Sequence, residues 1–323
     1  MDDRNIIQRL NKMKRITDYK KVFETLVSET QKYIIENGLK AMILGISGGI
    51  DSTVCAAICH DVSKRTGIPL IGRSLPSKFN KEEEINSASL VGKAFCNDFE
   101  EVSIKIPYDV FMSVLDRVEC GMTPLASGNI QARLRMMYLY HLAGTNKGLV
   151  IDTDNLTENN LGYFTIHGDV GDFNPIGGLW KTEVFELAKC IHNDYYNKAR
   201  CLEEGHFYEE VDKIALKLEA IKKSLELKPT AGLGITDSDL DEIGAESYEQ
   251  VDSILQEILA WKRLVAERGD EFLDTEDIKS SFLEEQQMFN IPIKVIMNVA
   301  NKHFASEFKR RKLPVVIIRD LYV

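Results

Sequence analysis

The segment Ser47-Gly48-Gly49-Ile50-Asp51-Ser52 combines two glycines, two hydroxyls and a carboxylate. Paired glycines let a backbone turn tightly enough for several N–H groups to face one anion, and Ser47 and Ser52 add hydroxyl donors. A helix that starts here adds its partial positive charge. Asp51 would repel a bound phosphate unless a divalent cation lay between them. The segment therefore reads as a nucleotide phosphate loop working with Mg²⁺, distinct from the G-x-x-x-x-G-K-[ST] loop because it has no Lys.

Other segments carry residues of the same kind. Gly128-Asn129-Ile130-Gln131-Ala132-Arg133-Leu134-Arg135-Met136 opens a helix and places Arg133 near its start, where a cation opposes the macrodipole. That position suits either a ligand contact or an ion pair with an acidic neighbour. Thr153-Asp154-Asn155-Leu156-Thr157-Glu158 offers Glu158 as a second carboxylate for Mg²⁺, or as an ordinary charge at a helix N-terminus. The stretch from Gly162 to Pro175 is too long and glycine-dense for a simple connector. Its Asp169 and Asp172 suit ribose hydroxyls as well as turn formation, whereas His167 reads as a loop histidine rather than a base. Lys309-Arg310-Arg311-Lys312, taken alone, reads as a solvated face.

Elements far apart in sequence must bring these residues together. Ala41 to Ile46 is a short apolar run that reads as a buried parallel strand, and Val54, Ala57 and Ile58 recur after it at helical spacing. Ile68 to Leu75, Val102 to Ile106 and Gly148 to Asp152 read as further strands. Helices are expected over residues 19–35, 81–95, 108–117 and 127–143. This alternation predicts an α/β fold, a doubly wound parallel sheet flanked by helices. Ligands in such sheets sit at the carboxyl ends of strands, which draws Ser47 to Ser52, Leu75-Pro76-Ser77 and Thr153-Asp154 to one crevice. Beyond Leu187, residues 190–226 read as an exposed amphipathic helix, with helical stretches at Tyr248 to Leu264 and Ile293 to Phe304. We expect one domain over 1–323, with helical insertions at 190–226 and 265–300.

A net charge of −10 argues against a nucleic-acid partner, because phosphate neutralisation needs a basic face. The six cysteines form no C-x-x-C pair, so neither a disulfide framework nor a zinc site is expected. The first residues are charged and polar, unlike a signal peptide, and no apolar stretch has the ~20 residues of a membrane span. A soluble, cytoplasmic protein is the expectation.

Ser47 to Ser52 resembles the loop of N-type ATP pyrophosphatases, and the ordered series behind it resembles the ammonia-dependent NAD synthetase family. That family follows S-G-G-x-D-S with G-N-x-x-A-R-x-R-M, T-D-x-x-x-E, G-x-x-T-x-x-G-D, L-x-K and P-[ST]-A-x-L. The matching segments are Gly128 to Met136, Thr153 to Glu158, Gly162 to Pro175, Leu179-Trp180-Lys181 and Pro229-Thr230-Ala231-Gly232-Leu233. The resemblance implies an adenine nucleotide alpha hydrolase-like fold. It implies that Gly45, Ile46, Ser47, Gly48, Gly49, Ile50, Asp51, Ser52, Thr153, Lys181 and Thr230 bind ATP. Asp51 and Lys181 would be catalytic, and Asp51 and Glu158 would hold Mg²⁺. Asn129, Arg133, Asp169, Asp172, Phe308 and Lys309 would contact deamido-NAD, which reverses the reading of the basic cluster as a plain solvated face. Ile166 departs from the family, many bacterial members of which carry a substrate-contacting Lys there. Asp152 replaces a frequent Gly.

The expected chemistry is adenylation of the nicotinate carboxylate by ATP, followed by attack of ammonia to release NAD and AMP. Glutamine-dependent forms carry an amidohydrolase domain ahead of the loop, whereas 46 residues precede Ser47 here, so free ammonia is the expected donor. The resemblance also implies a homodimer, with the N-terminal and 127–143 helices near the interface. The alternatives are a GMP synthetase-like ATP pyrophosphatase domain, a tRNA-modifying enzyme of the same superfamily and a non-catalytic nucleotide-binding protein. The GMP synthetase-like domain would share the first loop without Gly128 to Met136 or Gly162 to Pro175.

Overall fold

The computed structural model describes residues 16–118, 123–228, 238–267, 280, 282, 291–311 and 315–316. Thr230 and its motif, and most of 265–300, lie outside the described residues. Six parallel strands form one sheet in the order β3-β2-β1-β4-β5-β6. They are β1 (Met42–Gly45), β2 (Leu70–Ser74), β3 (Asp98–Glu101), β4 (Leu149–Ile151), β5 (Phe173–Asn174) and β6 (Val315–Val316). β1 lies between β2 and β4, with Leu44 in register with Gly72 on one side and Ile151 on the other. The strand order reverses there, so the loop after β1 occupies the crevice where such sheets bind ligands.

Alternation along β1 divides the core between the two faces. Met42 and Leu44 pack into a cluster built with α1 (Tyr19–Glu36), α2 (Ile50–Thr66), α3 (Glu82–Phe95), α7 (Lys181–Glu204) and α8 (Tyr208–Glu226). Ile43 points the other way, with Ile71 and Val150, onto Met136, Leu139 and Ala143 of α5 (Pro124–Asn146). α4 (Lys105–Leu115) joins β3 to α5. A third cluster gathers Leu161 of α6 (Leu156–Leu161), Trp180, α10 (Tyr248–Glu267) and α11 (Ile293–Ala305), with the short α9 (Asp239–Ile243) contributing Ile243. Among the described residues, no helix is long and apolar enough to cross a membrane.

Three expectations need correction. The third strand is Asp98–Glu101, not Val102 to Ile106, and α4 begins at Lys105. β3 is an edge strand of mostly exposed polar residues, tied to β2 by Arg73, whose guanidinium contacts Asp98 at 3.0 Å and Glu100 at 3.7 Å. An apolar run is therefore the wrong signal for it. The helix carrying Arg133 starts at Pro124, behind an N-cap Thr123 that accepts from Ala126 N at 3.1 Å, so Arg133 lies in its third turn. Residues 190–226 are not one exposed helix. α7 passes uninterrupted through 190, and α8 buries Ala220 and Ile221 in the main core.

Candidate active site

The phosphate loop is braced from behind. Gly48 has φ +84°, and a side-chain carbon there would meet Ala88 N at 2.6 Å and Glu84 O at 2.7 Å. Only glycine fits that turn without strain, and Ser87 Oγ donates to its carbonyl at 2.8 Å. Gly49 caps α2 with no side-chain hydrogen bond, so the first N–H groups of α2 keep no side-chain acceptor of their own. The Ser47 and Ser52 hydroxyls lie 3.1 Å apart across the same turn.

Lys181, the first residue of α7, is 1% exposed. A helix N-terminus disfavours a cation, and two carboxylates compensate. Its Nζ donates to Asp51 Oδ2 at 2.5 Å and to Glu158 Oε1 at 2.8 Å. Burial alone would push the ammonium down, but Asp51 and then Glu158 outweigh it and hold Lys181 well above the ordinary lysine range. Burial, followed by the charge of Asp51, pushes the Glu158 carboxyl up, against the pull of Lys181. The pair sits in place because Asn155, wholly buried, caps α6 through Oδ1 from Thr157 N and Glu158 N, both at 3.0 Å. Its Nδ2 donates to Asp51 Oδ1 at 2.8 Å.

Two carboxylates converging on one cation are a hard oxygen donor set. Among the described residues, no group of three or more His, Cys, Asp and Glu side chains could hold a metal ion. Such a set fits Mg²⁺, which takes one or two carboxylates and completes its shell with phosphate oxygens and water. It does not fit an all-protein zinc site.

These groups open onto a cavity of about 610 Å³. Gly45, Ile46, Ser47, Gly49, Ile50 and Ser52 line it, as do Thr153, Asn129, Asp169 and Lys309. Ile46, Leu75, Ile85, Ala88, Met136 and Leu139 give it an apolar part suited to a flat base. Thr165 ties the neighbouring groups together: its hydroxyl donates to Asn129 Oδ1 at 2.8 Å and its N–H to Asp169 Oδ1 at 2.5 Å. Lys309 Nζ donates to the carbonyls of Gly162 and Phe164, each at 2.7 Å.

Arg133, Asp172 and Phe308 are not among the lining residues. Arg133 is exposed and donates to Ile166 O at 3.3 Å. Asp172 accepts from Tyr140 Oη at 2.8 Å and from Val150 N at 2.9 Å, fastening the glycine-rich loop to β4. Phe308 is 63% exposed. Arg135, two residues beyond Arg133 in the same motif and without a sequence signal of its own, reaches the cavity and donates to Leu75 O at 2.9 Å and Asn80 Oδ1 at 3.2 Å. Asn155 was likewise legible only as a member of its motif. Asp239 and Glu242 line the cavity with no sequence signal that pointed to them.

The chain is similar to known proteins over most of its length. The NAD synthase family profile matches residues 22–313. An NH(3)-dependent NAD(+) synthetase of Thermoplasma acidophilum is 34% identical over 243 residues, 75% of this chain and 85% of the relative. The enzyme of the same name from Pyrococcus horikoshii is 31% identical over 93% of this chain and 95% of its own length. Among solved structures, an NMN synthetase from Francisella tularensis superposes with a TM-score of 0.65 at 26% identity, covering 92% of this chain and 97% of that one.

Proposed function

The chain belongs to the NAD synthase family, and from that premise we propose how its cavity performs an amide-forming ligation. The acceptor is deamido-NAD, the nitrogen donor is ammonia, and ATP is consumed to AMP and pyrophosphate. A carboxylate resists ammonia because its leaving group would be oxide. Attack of the nicotinate carboxylate on the α-phosphorus of ATP converts that oxygen into part of AMP, a good leaving group. Ammonia then adds to the acyl-adenylate carbonyl, and AMP departs as the amide forms.

The observation that carries this reading is the Lys181 ammonium shared by Asp51 and Glu158 beside a glycine-turned phosphate loop. The free N–H groups at the start of α2 and the Ser47 and Ser52 hydroxyls would bind phosphate oxygens. Lys181, itself buried, would stabilise negative charge developing at the transferred phosphorus. Asp51 and Glu158 would hold Mg²⁺, which when bound neutralises charge on the leaving pyrophosphate. Asn129, Asp169 and Lys309 line the remaining cavity and would take the acceptor, as would Thr153 the ATP. Incubation with ATP, Mg²⁺, ammonium and deamido-NAD should yield NAD, AMP and pyrophosphate in equal amounts; ADP as product would refute the reading. The likeness to an NMN synthetase favours one further arm, the corresponding mononucleotide acceptor, tested in the same assay.

We also propose a homodimer. An apolar face supports it: Ile106, Val110, Phe111 and Val114 of α4 are exposed, as are Met137 and Tyr140 of α5. Arg133 lies on the same helix as the last two, so a substrate bound across the dimer would reach it. The demand for ATP supports a cytoplasmic setting.

A further inference from the structure

α10 lies outside the nucleotide-binding sheet, yet one of its side chains reaches the start of both helices that carry Lys181 and Glu158. Asp252 is 2% exposed. Its Oδ1 accepts from the Thr157 hydroxyl at 2.5 Å, and Oδ2 accepts from Thr182 N at 3.0 Å and Thr182 Oγ1 at 2.8 Å. The Thr157 oxygen accepts in turn from Lys181 N at 2.8 Å. Thr157 immediately precedes Glu158, and Thr182 immediately follows Lys181. One buried carboxylate therefore takes up, directly or through one hydroxyl, the first two N–H groups of α7 and pins them to α6. Trp180, the N-cap of α7, supplies no side-chain acceptor for these groups. One turn earlier on α10, the ring of Tyr248 lies under the Lys181 ammonium at 5.7 Å.

We propose that Asp252 is a positioning residue for the reaction, fixing the separation of Lys181 and Glu158 by clamping the helix starts that bear them. This rests on the reading of the site given above. It makes α10 part of the catalytic machinery rather than a packing addition. Without the clamp, α6 still packs on the third core cluster and α7 on the first, but the Nζ of Lys181 loses its set distance from the phosphorus. A misplacement of about 1 Å in such a group costs about a hundredfold in rate.

The test compares Asp252→Asn with Val299→Ala, a cavity variant in the apolar cluster that α10 and α11 share. Asp252→Asn is expected to lower kcat about a hundredfold with the KM values for ATP, deamido-NAD and ammonia within about threefold, the pattern of a lost transition-state contact. The Lys181 and Thr182 amide protons, both hydrogen-bonded, should exchange slowly in the wild type and fast in the variant. Val299→Ala should lower Tm with kcat and both amides unchanged. Should Asp252→Asn not fold, Thr182→Val carries the same expectation at about tenfold in kcat. Wild-type kcat in folded Asp252→Asn or in Thr182→Val, or an equal loss of kcat in Val299→Ala at matched Tm, would overturn the proposal. A wild type that forms no AMP refutes the assigned reaction instead, and the amide exchange still decides whether the clamp exists.

Discussion

Lys181 is a buried base and His60 a partly buried one, and their surroundings push them opposite ways. Lys181 keeps its charge because two carboxylates outweigh burial. Replacing Lys181 with Met should lower kcat on the order of 10²–10³-fold, the cost of removing a preorganised donor, and also leave Asp51 and Glu158 facing each other. Replacing Asp51 with Asn should likewise act on kcat while the far-ultraviolet circular dichroism stays unchanged; wild-type turnover in either variant would contradict the assigned roles. Of the charges around it, His60 is acted on most strongly by cations. Its Nε2 accepts from Lys217 Nζ at 2.8 Å and its Nδ1 donates to Phe95 O at 2.8 Å. Burial first, then the positive charges of Lys217, Lys64 and Lys198, push the imidazole down to about 4. An unfolded His takes up its proton near 6.5, so between pH 6.5 and 4 the unfolded chain gains protons the folded chain refuses. Stability contributed by neutral His60 is therefore present above pH 6.5 and lost as pH falls toward 4, by up to about 3 kcal/mol. Denaturant unfolding of wild type and His60→Gln at both pH values should show the wild type losing that much relative to the variant.

At the scale of elements, the turn after β1 depends on α3 as much as on its own glycines. Gly48→Ala would put a methyl group against the Ala88 amide and hold a non-glycine residue at positive φ, costing on the order of 1–3 kcal/mol. We expect a lower Tm and a raised KM for ATP with kcat little changed, by thermal unfolding and steady-state kinetics. The elements around this turn were the legible ones. β1 and β4 are short apolar runs buried on both faces, β2 opens with the apolar Leu70 and Ile71, and α1 carries its stripe of Val22, Leu26 and Ile34 at helical spacing. β3, β5 and β6 were not. β3 is polar because one side has no neighbouring strand, and β5 and β6 have two residues each, too few to show a period. Tertiary pairing alone defines them, Phe173 with Ile151 and with Val315. In the site, residue types led to Asp51 and Glu158, and the family resemblance to Lys181. Asn155 and Asp252 escaped because their role is to hold other side chains, and no residue type announces that.

For the whole molecule, the exposed apolar residues of α4 and α5 fix the expectation for assembly. The wild type should sediment at twice its 36.6 kDa chain mass, and Phe111→Glu should give a monomer with reduced turnover. A wild type that sediments as a monomer at working concentration would contradict the dimer. A single unit with helical additions remains our proposal for its organisation. The reach of α10 to Lys181 through Asp252 supports it, since such an addition cannot be detached without disturbing the site. The central claim is that the acceptor carboxylate is activated by AMP. Deamido-NAD labelled with ¹⁸O in both carboxylate oxygens tests it most directly, by mass spectrometry of the products after one turnover with ATP, Mg²⁺ and ammonium. The acyl-adenylate route predicts one ¹⁸O in AMP, one in the new amide and none in pyrophosphate; unlabelled AMP, or label in inorganic phosphate with ADP formed, would contradict it.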